Sequence, residues 1–305
     1  MNDILTPKAP QKNKTQNVSH TSHQSNNDGR LRQFQRGELI FNVIDQGPLD
    51  GEPIVLLHGF PEMANSWQAV SEILNSQGFR TYALEQRGYS MDARPRGRFQ
   101  YSLNDLTSDL DALIEIIDQP VYLVGHDWGS LVTCEYALHN PQKVNHLTLV
   151  SVPHKGAYVQ AMLTSSQFFS SYYVAFFQLP VIPEIMFKHI PKLRQFFLKN
   201  SGMTDEQIQS FEQEFIQEGR LSTAIHWYRS IILNSPFDTF KTVSVPTLFV
   251  WGDQDIAIGK KCADLNRKFF SHAYEDIYLK ATHWIPTQNA EALSQAILNA
   301  IKTRG

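Results

Sequence analysis

Residues 121–124 form an apolar run that closes in Gly125-His126-Asp127-Trp128-Gly129, and Ser130-Leu131-Val132-Thr133-Cys134 then opens a helical pattern. Strand, Gly-x-Asp-x-Gly, helix is the pattern of a strained turn that lifts a side chain off a sheet edge. The Gly-x-Asp-x-Gly spacing therefore constrains this segment to strand, tight turn and helix, in that order. Short apolar runs of the same kind occur at Phe79–Leu84, Val144–Val150, 53–57 and 246–250. Helical patterns at 66–77, 102–117, Trp128–His139 and 289–301 separate them. Strands that are apolar throughout, rather than alternating, are covered on both faces. The predicted fold is α/β: a mostly parallel, twisted sheet flanked by helices, built from right-handed crossovers. A hairpin around 38–44, with turn signals at Gln46-Gly47-Pro48 and Asp50-Gly51, leads into it.

The alternation breaks between His154 and Asp238. Paired rings (Phe168-Phe169, Tyr172-Tyr173, Phe176-Phe177, Trp227-Tyr228) and prolines at 180, 183 and 191 mark a helical insertion. The expected organisation is a core of 31–153 and 237–305 with a helical cap at 154–236 over the carboxyl ends of the strands, where open α/β sheets bind ligands. A cap rich in rings makes that cleft dry, which suits a small apolar substrate. Residues 1–30 are polar and are read as a disordered tail; His20 and His23 belong to it rather than to a metal site. A net charge of −3 gives no reason to expect nucleic acid or an acidic membrane surface as partner. Neither a secretory apolar segment nor a membrane-length run is visible, and the two cysteines, Cys134 in a core helix and Cys262 in a surface helix, read as reduced thiols. A cytoplasmic protein is expected, with a homodimer as the one macromolecular assembly left open.

Asp127 stands where the strand-to-helix turn lifts a side chain clear of the sheet. A serine there needs a base before it can attack an acyl carbon, whereas a carboxylate needs none. As a weak nucleophile it suits displacement at a tetrahedral carbon with a strained or good leaving group, which leaves an alkyl ester on the enzyme. Releasing that ester takes water, a histidine base, an acid to orient the base, and an oxyanion hole. His283, in Ala281-Thr282-His283-Trp284, is the expected base. Asp255, in Val250-Trp251-Gly252-Asp253-Gln254-Asp255, is the expected orienting acid, with Asp253 the alternative. The backbone N–H groups of Trp128 and of Phe60, in His58-Gly59-Phe60-Pro61-Glu62, are the expected oxyanion donors. No metal or organic cofactor is called for. His58, His126 and His226 are read as hydrogen-bonded structural groups, Glu62 as a loop-stabilising carboxylate, and Asp109 and Asp111 as solvated.

At these residues the chain resembles the α/β-hydrolase superfamily and, within it, the epoxide hydrolases, over nearly everything after the tail. His58-Gly59-Phe60-Pro61-Glu62, Arg87-Gly88-Tyr89 and Gly125-His126-Asp127-Trp128-Gly129 carry the resemblance. It implies opening of an epoxide to a diol, with two cap tyrosines that hydrogen-bond the epoxide oxygen and protonate it. These fall on Tyr173, ahead of Phe177-Gln178-Leu179-Pro180, and on Tyr228, in Trp227-Tyr228-Arg229, with Tyr172 the alternative register for the first. The chain departs from the family pattern at Ser90 and Ser130, where glycine is common, and at His226, where asparagine is. A haloalkane or haloacid dehalogenase with the same Asp-His-Asp chemistry is the nearest alternative. It would use the Trp128 ring N–H as a halide donor, but the chain lacks a second donor at Phe60 and arginines after Asp127. A ligand-binding protein without turnover is the alternative from another class.

Overall fold

The computed structural model describes residues 21–25 and 28–302. The strands are β1 (Thr21–Ser25), β2 (Leu31–Arg36), β3 (Leu39–Gln46), β4 (Glu52–Leu57), β5 (Phe79–Leu84), β6 (Val121–His126), β7 (Val144–Val150), β8 (Thr247–Gly252) and β9 (Tyr274–Leu279). They form one sheet in the order β1-β2-β3-β5-β4-β6-β7-β8-β9. β1, β2 and β3 pair antiparallel and β3 joins β5 antiparallel, while β5 through β9 are parallel. From β4 the chain crosses to β5 on one side and then to β6 on the other, which opens a crevice at the carboxyl ends of β4 and β6.

Successive side chains of β4 point to opposite faces, and all of Ile54, Val55, Leu56 and Leu57 are buried. Ile54 and Leu56 pack on one face with Trp67, Leu74, Leu293 and Ile297, under α1 (Gln68–Ser76) and the C-terminal helix. Val55 and Leu57 pack on the other with Leu113 and Val132, from α2 (Leu103–Ile117) and α3 (Trp128–His139). Ser102 starts α2 with a reciprocal capping box to Asp105, which supplies acceptors for two of the N–H donors that a helix start leaves unpaired.

Between β7 and β8 the chain is helical: α4 (Lys155–Thr164), α5 (Gln167–Ser170), α6 (Tyr172–Gln178), α7 (Ile182–His189), α8 (Pro191–Asn200), α9 (Asp205–Phe211) and α10 (Leu221–Arg229), with a π-helical turn Glu212–Gln217 after α9. The insert seats on the loop that follows β5. Trp227 Nε1 donates to Arg87 O (2.9 Å), Thr223 Oγ1 to Gly88 O (2.6 Å) and Arg220 Nε to Tyr89 O (3.0 Å). The chain ends in α11 (Lys260–Asn266), α12 (Ile285–Gln288) and α13 (Ala290–Lys302). Among the described residues no helix is long and apolar enough to cross a membrane.

Two expectations need correction and a third needs refining. Thr21–Ser25, inside the stretch read as a disordered tail, pairs antiparallel with β2. Backbone hydrogen bonds to a sheet edge need no apolar side chains, so a polar sequence does not exclude them. His20 and the rest of 1–20 lie outside the described residues. Cys262 does lie on a surface helix, but on its buried face, because α11 packs against α4 of the insert. Asp109 is 2% exposed rather than solvated. It accepts from Arg87 Nε (2.7 Å) and Nη2 (2.7 Å) and from Arg36 Nη1 (2.8 Å), which ties α2 to the loop after β5 and to β2. Asp111 is half-exposed and pairs with Lys143 and the Tyr136 hydroxyl.

Removing one member of a buried charge pair strands the other. Asp109→Ala should therefore lower unfolding free energy by about 3–5 kcal/mol, measured by urea denaturation with the slope unchanged; a loss below about 1 kcal/mol, the range of solvent-exposed pairs, would mean that the Arg87 guanidinium finds water instead.

Candidate active site

The elbow after β6 is set by close approach. A Cβ on Gly129 would lie 2.1 Å from Leu57 O, and one on Gly125 would lie 2.3 Å from Gly129 O, so neither position admits a side chain. Asp127 between them takes φ 52° and ψ −117°, an uncommon conformation for a non-glycine residue. It is held by Asp127 N–H to Val150 O (3.2 Å). Ser130 adds to this: its Oγ bridges Gly125 O (2.6 Å) and Val150 O (3.0 Å) and accepts from Val150 N–H (3.1 Å). Ser90 Oγ likewise donates to Glu85 O (2.9 Å) and accepts from Asn42 N–H (2.9 Å). Each departure from glycine thus contributes hydrogen bonds, not just bulk.

Asp127, His283 and Asp255 lie in line. Asp127 Oδ1 accepts from Phe60 N–H (2.8 Å), while Oδ2 lies 3.4 Å from His283 Nε2. His283 Nδ1 meets Asp255 Oδ2 at 2.6 Å. The other Asp255 oxygen accepts from Ala257 N–H (2.8 Å) and Ile258 N–H (3.0 Å), so the carboxylate is fixed at both ends. Asp253, the alternative acid, is exposed on the same loop. Trp128 is the first residue of α3, which starts at the elbow beside Asp127. His126 Nε2 and Ser151 Oγ both reach His283 O, at 2.9 and 2.7 Å, and position its backbone. Glu62 Oε2 faces His126 Nδ1 at 3.3 Å, and its Oε1 accepts from Gln207 and Thr287. Glu62 and His126 therefore act on placement, as does His58, whose ring contacts Gly59 O and Gln86 N–H.

Above this line lies a cavity of about 450 Å³. Its walls are rings, among them Phe60, Phe176, Phe177, Phe187, Phe197 and Trp284, and its polar groups include Asp127, His283, Tyr173 and Tyr228. The Tyr173 and Tyr228 rings are 6.0 Å apart, and Tyr228 stands edge-on to Trp128 (5.1 Å) and Phe60 (5.4 Å). Tyr172 also borders the cavity but is 58% exposed, so Tyr173 is the inward residue of the doublet. Gln167 and Ser151 were not singled out from sequence. A polar residue among aromatics and a serine after a strand carry no local signal of their contacts.

Burial governs the electrostatics. It drives both tyrosine hydroxyls well above the ordinary phenol range, and the nearby Asp127 charge adds to this, so each keeps its proton. Burial alone would raise the Asp127 carboxyl, but the His283 hydrogen bond and charge outweigh it and hold the group below the usual range. Burial alone would depress His283. The Asp255 charge and the hydrogen bonds that the ring donates to Asp127 and Asp255 reverse that and push it up to about 10. The resting pair is carboxylate and imidazolium. Away from the cleft, Glu135, His139 and Asp238 bring ligand atoms within 4.8 Å of one another, but Lys155 and Lys241 pair with the two carboxylates.

With a doubly wound sheet and an acid-base-acid line at its switch point, the chain belongs to the α/β-hydrolase fold family, which it matches over residues 52–290. It is an epoxide hydrolase-like hydrolase of that family. It is 31% identical over 264 residues to epoxide hydrolase 2 of Caenorhabditis elegans, covering 82% of this chain and 74% of that protein. The AB hydrolase superfamily protein YfhM of Bacillus subtilis is 29% identical over 287 residues, 91% of this chain and 100% of the relative. The crystal structure of epoxide hydrolase VrEH1 from Vigna radiata superposes with a TM-score of 0.75 at 25% identity, covering 87% of this chain and 95% of that one.

Folding raises the His283 pKa from 6.5 to about 10, so its pairing stabilises the fold fully below pH 6.5, and that contribution is lost as pH rises through about 10. Asp127→Asn removes one of the two carboxylates responsible, and the imidazole should then titrate about 1–3 pH units lower. Imidazole NMR across that range measures it; an unmoved midpoint would mean that Asp127 does not govern the charge on His283.

Proposed function

We propose that this protein opens an apolar epoxide to a vicinal diol through an ester on Asp127. The observation that carries the reading is the pair of protonated tyrosines, partly buried Tyr173 and buried Tyr228, in one apolar cavity with Asp127. A halide leaves without a proton; a ring-opened epoxide leaves as an alkoxide far more basic than a phenolate, and needs one. With Oδ1 engaged by Phe60 N–H, Oδ2, which has only the longer contact to His283 Nε2, is the oxygen that attacks. It forms a bond to one epoxide carbon as the C–O bond breaks, and the departing oxygen takes the proton of Tyr173 or Tyr228. The phenolate then takes the imidazolium proton, which Asp127 no longer stabilises once it is an ester. His283 is left neutral and able to act as a base.

In the second step His283 Nε2 removes a proton from water as that water attacks Cγ of the Asp127 ester. The oxyanion forms at Oδ1, where Phe60 N–H already donates, joined by Trp128 N–H. On collapse the Cγ–Oδ2 bond breaks, the leaving alkoxide takes the proton of the hydroxyl delivered by water, and the diol departs with Oδ2 while the carboxylate–imidazolium pair is restored, so the sum is epoxide plus water to diol. Asp255 orients His283 and balances its charge. The helical insert at 154–236 acts as the cap that carries both tyrosines and keeps the reaction dry.

His283→Gln removes the base of the second step and leaves the nucleophile Asp127 and both tyrosines in place. Incubated with an epoxide that wild type consumes, the variant should gain the mass of that epoxide by intact mass spectrometry; normal turnover, or no adduct with any such substrate, would overturn the ester mechanism. The tyrosines are tested separately. Positioned acids contribute roughly 10²- to 10⁴-fold, so Tyr173→Phe and Tyr228→Phe should each slow alkylation moderately and the double variant far more. If the double variant keeps wild-type epoxide turnover, or wild type releases bromide from bromoalkanes while forming no diol, the epoxide assignment fails.

A further inference from the structure

Gln167 opens the short helix α5 of the insert and is 2% exposed. Its side-chain amide reaches out of the insert to the loop after β8. Nε2 donates to Ala257 O (2.7 Å) and to Ser171 Oγ (3.1 Å). Oε1 accepts from Gly259 N–H (2.8 Å) and from Cys262 Sγ (3.2 Å). A primary amide offers two donor hydrogens and two acceptor lone pairs, and here every one is used. That fixes which end is oxygen, and it means that neither glutamate nor an apolar side chain can reproduce the set.

The segment so gripped, Ala257 to Gly259, overlaps the one whose Ala257 and Ile258 N–H groups hold Asp255 Oδ1. Gln167 takes the carbonyl of Ala257 while Asp255 takes its amide, so the two side chains hold one peptide stretch from opposite sides. On the insert side, Ser171 Oγ donates to Gln167 O (2.8 Å) and accepts from Tyr158 OH (2.6 Å), immediately before Tyr172 and Tyr173 begin α6. The network is buried, where hydrogen bonds are strongest and an unpaired partner costs most.

We propose that Gln167 is a positioning residue for ester hydrolysis: it clamps the 257–259 loop, which sets Asp255 against His283 Nδ1, and so couples the seating of the helical insert to the base of the second step. This role rests on the assignment of Asp127, His283 and Asp255 above. Gln167 touches neither substrate nor reacting atoms; it acts through Asp255. The titratable groups around His283 are Asp127 on the elbow, Asp255 on the β8 loop and His126 at the end of β6, and of these only Asp255 is held through Gln167.

Gln167→Met keeps length and burial and removes all four hydrogen bonds. A loosened Asp255 supports the imidazolium less, so the pH midpoint for hydrolysis of the alkyl-enzyme should fall below that of wild type. The misplaced base should slow hydrolysis about 10- to 100-fold, with ester accumulating in single-turnover mass spectrometry while its formation changes less. Gly259→Ala is the second variant: its Cβ would sit 3.2 Å from Gln167 Oε1 and press on the same clamp without emptying it. It should show the same two effects in smaller degree, and it decides the matter by the same criteria if Gln167→Met does not fold. Hydrolysis at the wild-type rate with an unmoved pH midpoint would overturn the clamp. If His283→Gln accumulates no ester either, the ester mechanism has failed, and the two failures are told apart.

Discussion

The site depends on how closely the elbow after β6 approaches the end of β4. With a Cβ on Gly129 only 2.1 Å from Leu57 O, the two backbones leave no room for a side chain between them. This contact brings the Phe60 N–H within 2.8 Å of Asp127 Oδ1 and gives the two oxygens of one carboxylate different surroundings. One faces a backbone donor and the other faces His283. The uncommon φ of Asp127 persists because the hydrogen bonds of Ser130 and Val150 over-determine the turn.

Dryness is the second constraint. The same burial that raises the tyrosine hydroxyls would, unopposed, neutralise both Asp127 and His283. They stay charged because each is the other's partner and Asp255 supports the imidazole from behind. A charge pair held this way is conditional: chemistry that consumes the carboxylate also removes what keeps the imidazole protonated. In the proposed cycle that conditionality turns an acid form into a base between the two steps with no external signal.

The insert and the sheet are joined by side chains that reach backbone across the seam. Trp227, Thr223 and Arg220 grip the loop after β5, and Gln167 grips the loop after β8. These are the loops that carry or border the candidate chemistry. The aromatic rings fill the cavity walls and the polar seam sets its registration, a division of labour that follows from directionality: apolar contact is tolerant of slide, and hydrogen bonds are not.

By itself the sequence determined the parallel sheet, the strand-elbow-helix at Asp127, the helical stretch between β7 and β8, and the chain order of Asp127, Asp255 and His283. These are local matters, written in apolar runs, glycine spacing and loop position, and a one-dimensional string carries them. Only tertiary structure removed the second choices: Asp253 is exposed where Asp255 meets His283, and Tyr172 is exposed where Tyr173 lines the cavity. It also buried Asp109 between two arginines, buried Cys262 beneath the insert, and gave β2 a polar partner strand in Thr21–Ser25. Gln167 is the clearest case, since its partners at 257, 259 and 262 lie some ninety residues away, 92 in the case of Gly259. Burial and pairing of a polar side chain are properties of what folds against it, and adjacent residues in the sequence do not encode that.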